Sequence, residues 1–303
     1  MDSVTCIWNV WNGQQKKARA FTYHNAAIKD VKWSPEGQFV LSCGYDCSSR
    51  LVDVEKGSET QVFLEDQAVT AIKFHPHNSS LFLSGGSKGL LKLWDIRLGK
   101  VVHQYTRRLG PILDIEFMVD GKQFISSCDV SSSNLSENSL IVWDVSREVP
   151  LSNQDQTMPS PTWSPTAFTV NWIIYYNLLS VYAEAYTCTC VRCHPFEPSF
   201  VAQSNGNYIA IFSTTHPFRL DKYKRFESHG VFGFPIRCGF SSDGEILASG
   251  SSDGNIYFYS FGSSNLLKKI KAYDQPCVDV AFHPLFPNVI ASCSWNGEVS
   301  VFE

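Results

Sequence analysis

The sequence predicts an all-β molecule, a propeller built from repeated four-stranded units, on three observations. Segments ending in Trp-Asp, or in a worn version of it, recur along the chain as DSVTCIWN, DCSSRLVD, KGLLKLWD, ENSLIVWD, GNYIAIFS, DGNIYFYS and NGEVSVFE. Their first residues, Asp2, Asp46, Lys88, Glu137, Gly206, Asp253 and Asn296, are separated by 44, 42, 49, 69, 47 and 43 positions, a period of about 45 with one exception. Two further apolar segments precede the copies at a regular distance, and a shorter one often follows. Lastly, the strands are apolar on both faces, with Leu90, Leu91, Leu93 and Trp94 close together, as suits blades covered by a neighbour on either side. With 303 residues and 44% hydrophobic content, the chain can fill such a core as a single domain, residues 1–303.

Seven units follow in order. Unit one starts at a third strand, Val4 to Asn9, with a strand near Ala20 to Tyr23. Unit two reads IKDVKWSPEGQFVLSCGYD before its worn Trp-Asp copy, and unit three reads VTAIKFHPHNSSLFLSGGSK with KVVHQY as outer strand. Unit four opens on ILDIEF, and unit five on VRCHP. Unit six reads IRCGFSSDGEILASGSSDG with LLKKI outermost, and unit seven reads VDVAFHPLFPNVIASCSWN and stops at Val299 to Phe302. Pro- and Gly-marked turns separate the strands.

The exceptional interval is about 24 residues longer than the repeat period allows. The excess is an atypical insertion at residues 155–186, DQTMPSPTWSPTAFTVNWIIYYNLLSVYAEAY, which carries no blade pattern. Its apolar run from Phe168 to Tyr182 is short for a membrane span. The readings it admits are an unusual splice form or gene-model error, an interaction helix, or a long strand or packed loop. The ends leave the first and last blades incomplete. They suggest a fragment or isoform of a seven-bladed parent, or else a six-bladed ring in which the strand near Ala20 to Tyr23 closes the last blade.

The spaced Trp-Asp copies with Ser-Gly-x-x-Asp-Gly turns resemble the WD40 family of β-propellers. The resemblance implies a hydrogen-bonded His-Ser-Asp-Trp tetrad in each blade, and this chain keeps parts of it. His24, Ser42 and Asp46 fit, with Val52 at the Trp position; His229, Ser249 and Asp253 fit, with Tyr259 there; Trp94 and Trp143 stand without the His. Three stretches, WDIRLGKVVHQYTRRLGPILDIEF, SNGNYIAIFSTTHPFRL and ASCSWNGEVSVFE, resemble the branch of the family related to a pre-mRNA splicing factor. That resemblance implies a non-catalytic scaffold for protein-protein interactions, spliceosomal partners and a nuclear location. Trp94-Asp95-Ile96-Arg97 matches the WDxR sequence with which some WD40 proteins dock on a ubiquitin-ligase adaptor, so Trp94, Asp95 and Arg97 are candidate docking residues.

A formal net charge of −4 gives no overall basic field for nucleic acid or anionic lipid. MDSVTCIWNVWNGQQKK lacks the basic start and apolar block of a secretory leader, so an intracellular setting with reduced thiols is expected for the ten cysteines. No membrane partner, cofactor, metal or small-molecule substrate is expected. Phosphate-loop, H-E-x-x-H and G-x-S-x-G signatures are missing, and no enzyme is read.

Cys190-Val-Arg-Cys193-His194 matches the C-x-x-C-H pattern of haem attachment. Yet VRCHP occupies the place of VKWSP, IKFHP and VAFHP in other units, so Cys193 reads as a core residue and His194-Pro195 as a turn. Zinc would need Cys188, Cys190, Cys193 and His194 together; Cys188 and Cys190 are expected on one face of a regular strand, but so tight a cluster seldom forms a tetrahedron. Cys43, Cys128 and Cys293 read as small buried residues. Basic clusters occur at Arg107-Arg108, at Lys268, Lys269 and Lys271, and in RLDKYKRF. Each lies on or beside an outer strand, where lysines ordinarily guard the edge. The last combines Arg219, Lys222, Lys224 and Arg225 with Tyr223 and Phe226 and is the candidate for RNA contact.

Overall fold

The computed structural model describes residues 3–9, 17–107, 109–129, 139–148, 151, 186–286 and 288–303. Among these residues the chain forms twenty-four β-strands, all paired antiparallel, and no α-helix. Unit one is a two-stranded sheet of β1 (Thr5–Trp8) and β2 (Lys17–Phe21). Six blades follow. Unit two holds β3 (Ile28–Trp33), β4 (Phe39–Gly44), β5 (Ser48–Asp53) and β6 (Ser58–Leu64); unit three holds β7 (Val69–His75), β8 (Asn78–Gly86), β9 (Leu91–Asp95) and β10 (Lys100–Tyr105). Unit four holds β11 (Ile112–Phe117), β12 (Gln123–Cys128) and β13 (Leu140–Asp144). Unit five holds β14 (Cys188–Cys193), β15 (Ser199–Ser204), β16 (Tyr208–Ser213) and β17 (Leu220–Phe226). Unit six holds β18 (Cys238–Phe240), β19 (Ile246–Ser249), β20 (Asn255–Ser260) and β21 (Leu266–Lys271), and unit seven β22 (Cys277–Phe282), β23 (Ile290–Ser294) and β24 (Val299–Phe302).

The two-faced apolar strands are explained by where the core sits. Five buried clusters each draw side chains from two consecutive blades, so the core is the set of spaces between blades. Between units two and three, Leu41, Leu51 and Phe63 meet Val69, Phe82 and Trp94. Within this layer Phe82 stacks on Trp94 at 6.2 Å, and Phe63 of the preceding outer strand meets both edge-on at 4.8 and 5.4 Å. The next space repeats the arrangement, with Phe124 stacked on Trp143 at 6.0 Å and Tyr105 edge-on to both. The outer strands β6 and β10 thus each supply an aromatic that caps the following blade, and each such ring contributes about 2–3 kcal/mol by leaving water.

Two expectations change. β2 pairs with β1, with Thr5 opposite Phe21 and Cys6 opposite Ala20, so the Ala20 strand completes the first sheet and does not close unit seven. Cys188 and Cys190 do not share a face. A β-bulge between them shifts the register, so Cys188 packs toward Met118 and Val142 of unit four while Cys190 packs toward Cys238 and Leu247 of unit six. The insertion at 155–186 lies, except for Tyr186, outside the described residues, as does Arg108.

Candidate functional site

The bulge at Cys188 is one of a series. Inner strands β3, β7, β11, β14 and β22 each slip register at the same place, between Ile28 and Asp30, Val69 and Ala71, Ile112 and Asp114, Cys188 and Cys190, and Cys277 and Asp279. The extra residue re-aims the side chain that follows. In units two and four that side chain is an aspartate reaching the next inner strand: Asp30 accepts from Ile72 N at 3.2 Å, and Asp114 from Val191 N at 3.0 Å.

Cations answer these carboxylates. Lys32 meets Asp30 at 2.5 Å, Arg192 meets Asp114 at 2.6 Å, and Lys73 meets Glu116 at 2.7 Å. Arg237, leading into β18, lies 3.3 Å from Asp30 and 3.7 Å from Asp279, so it joins unit six to unit two across the centre. Burial alone raises the Asp30 pKa, but Lys32 and Arg237 outweigh it and hold the carboxyl well below the usual range. Burial likewise opposes the charge on Arg237, and Asp30, Asp279 and Asp114 overcome it and push its pKa up. Four acids and four bases meet here with cancelling charge, and their partners lie within the chain.

One face of the ring carries a second repeated contact. His194 accepts at Nδ1 from the backbone N–H groups of Phe196 and Glu197, at 3.1 and 2.8 Å, and donates from Nε2 to the Gly244 carbonyl of the next blade at 3.0 Å. His75 does the same, accepting from His77 N at 3.2 Å and donating to Gly121 O at 3.0 Å. His283 accepts from Leu285 and Phe286. Both nitrogens of His194 are therefore engaged in blade structure. Burial pushes the Cys193 thiol well up, and the bulge sends Cys188 and Cys190 apart. The haem-like string is a strand end and an inter-blade turn.

The tetrad-like residues divide. His24 reaches Asp46 at 2.9 Å and Ser42 at 2.8 Å, with Val52 buried in the same sheet. His229 takes a different course: it donates from Nδ1 to the Tyr259 hydroxyl at 2.9 Å and accepts at Nε2 from Gln203 at 2.7 Å. Ser249 donates to Gln203 at 3.2 Å, and Asp253 instead binds Asn255 and Tyr257. Trp94 and Trp143 donate to Ser84 and Ser126, at 3.0 and 2.9 Å. Sequence reasoning missed the replacements for the His: Glu65 accepts from Ser84 at 2.5 Å, and the Tyr273 hydroxyl meets Ser292 at 2.8 Å. Counting four residues back from the first inner-strand residue, Ile28, Val69 or Cys277, finds His24, Glu65 and Tyr273, and that spacing was the available signal.

Of the WDxR residues, Trp94 and Asp95 are buried and Arg97 has a side chain 71% exposed, pinned by Asp95 at 3.1 Å. The basic candidates Arg219, Lys222, Lys224 and Arg225 are all exposed along β17 or at its start, with Tyr223 between them. Among the described residues no helix is long and apolar enough to cross a membrane.

Comparison with known proteins adds the following. The family described as "WD domain, G-beta repeat" matches residues 15–53, 57–95 and 221–260. The chain is 33% identical over 302 residues to WD repeat-containing protein 25 of Mus musculus, covering 100% of this chain and 51% of that protein. It is 27% identical over 307 residues to Pre-mRNA-processing factor 17 of Homo sapiens, covering 100% and 47%, and 25% identical over 305 residues to that of Saccharomyces cerevisiae, covering 99% and 59%. The chain spans about half the length of the curated relatives it matches.

Proposed function

The chain is a WD40-repeat β-propeller, and from that premise we propose that it is a non-catalytic scaffold for protein partners in pre-mRNA splicing or a related ribonucleoprotein assembly, working in the nucleus. The observation that carries this reading is the similarity of the whole chain to Pre-mRNA-processing factor 17 of human and yeast. The axis supports it. Asp30, Asp114, Arg192 and Arg237 are committed to one another across the blades, so they hold the scaffold together and leave turns and outer edges to meet partners. Affinity purification from nuclear extract with quantitative mass spectrometry tests the proposal: splicing proteins should be enriched over a mock purification, and their absence would end it.

A second reading rests on Arg97. Asp95 holds this exposed guanidinium on the β9–β10 turn, a geometry suited to docking on a ubiquitin-ligase adaptor. In that case a cullin adaptor co-purifies and Arg97→Ala abolishes its recovery. Unchanged recovery removes the motif from consideration.

A further inference from the structure

We propose that the outer edge of unit five, around β17, is a binding site for single-stranded RNA, with Tyr223 as the platform on which a base stacks. The starting observation is a break in pairing. Arg225 and Phe226 stand opposite Ala210 and Ile209, but the next partner of Phe212 is Leu220, so residues 221–224 bulge away from β16 opposite Ile211 alone. The bulge is closed from within: Asp221 accepts from Tyr223 N at 2.9 Å and from Lys224 N at 3.2 Å. Phe226 still caps unit six against Tyr259 at 5.4 Å, so the blade packs as its neighbours do and the bulge adds nothing to the core.

The bulge presents Tyr223 at 97% exposure, between Lys222 and Lys224. It also opens a cavity of about 260 Å³ between the strands, over Tyr208 and Ala210. A second hollow of about 440 Å³, running toward Tyr186 and Asn207, meets the first at Tyr208 and Arg225. Arg225 lies 5.4 Å over the Tyr208 ring and pairs with Glu227. Lys224 reaches the Gly262 carbonyl of unit six at 3.0 Å, and the outer strand of that unit exposes Lys268, Lys269 and Lys271. The basic rim thus continues across two blades in a chain that is acidic overall.

A cationic groove with a water-exposed aromatic and room for planar rings fits a chain of phosphates bearing unstacked bases. An acidic peptide adding as a strand fits less well, because a four-residue bulge interrupts the ladder such a strand would extend. A duplex keeps its bases stacked and could not use Tyr223.

Fluorescence anisotropy with a labelled oligouridine of about ten nucleotides tests the site on the whole chain. Binding should weaken as salt rises; Tyr223→Ala should lower affinity about tenfold while Tyr223→Phe retains it. Lys222→Gln combined with Lys224→Gln should reduce the slope of log K against log salt by about 1.4. Circular dichroism confirms that each variant is folded, as substitution of an exposed tyrosine should allow. The proposal is overturned if oligouridine does not bind, if Tyr223→Ala binds as the parent does, if a duplex binds equally well, or if only an acidic peptide binds. Loss of this site alongside intact recovery of splicing proteins would leave the scaffold reading standing.

Discussion

His194 donates from Nε2 to the carbonyl of Gly244 at 3.0 Å, so that the inner turn of one blade is fastened to the inner turn of the next. Gly244 has φ +76°, and a Cβ built there would lie 2.5 Å from His194 Cε1. Gly37 occupies the matching turn of unit two with φ +74° and nothing within 4 Å. Gly244→Ala should therefore destabilise by about 2–4 kcal/mol, whereas Gly37→Ala pays only the left-handed backbone cost of about 1–2 kcal/mol. Equal losses in urea unfolding would show that the inter-blade contact does not matter.

Arg237 holds Asp30 and Asp279 together across the axis. Removing one member of a buried pair leaves an uncompensated charge, so Arg237→Met should cost about 3–5 kcal/mol. Because the folded pKa of Asp30 lies below its ordinary value of 3.8, the stability it contributes is complete above that pH and is lost as pH falls through the folded value. The acid-unfolding midpoint of Arg237→Met should move to higher pH than that of the parent.

His229 titrates with the opposite charge logic. Burial pushes its pKa down to about 4, with Asp253 opposing, and the neutral ring leaves Nε2 able to accept from Gln203. Between about pH 4 and the ordinary 6.5 the unfolded chain binds a proton that the folded chain refuses, so stability rises with pH across that window and levels off above it. The contribution is on the order of 3 kcal/mol. Unfolding free energies measured from pH 4 to 7 should show this rise, and His229→Gln should flatten it.

Much of the fold was legible in the sequence because a propeller repeats its devices. Trp94 and Trp143 mark third strands because each stacks on a phenylalanine one strand inward, and the His-Pro turns recur because His75 and His194 make the same pair of contacts. Less was legible where one residue changes the geometry without changing the pattern. The bulge between Cys188 and Cys190 inverts a face that strict alternation assigns, and Glu65 and Tyr273 fill the place of a histidine with a different donor or acceptor. The axial network was illegible for a related reason: Asp30 and Arg237 are 207 positions apart and meet only once the blades converge.

The thiols offer a further check. Cys238 is pushed up first by its contact with Cys190, at 4.0 Å between sulfurs, and then by burial, while burial pushes Cys128 to about 11 and Cys277 to about 12. Alkylation at neutral pH should label the half-buried Cys6 and Cys47 first and reach Cys128, Cys238 and Cys277 only on unfolding. Rapid labelling of Cys238 in the folded chain would contradict the packing of units five and six.

The scaffold proposal is tested most directly by cross-linking mass spectrometry of the chain in nuclear extract. Splicing proteins should cross-link to lysines on the turns and outer edges, such as Lys56, Lys222 and Lys268. Recovery of no splicing protein, or of a cullin adaptor in their place, would contradict it.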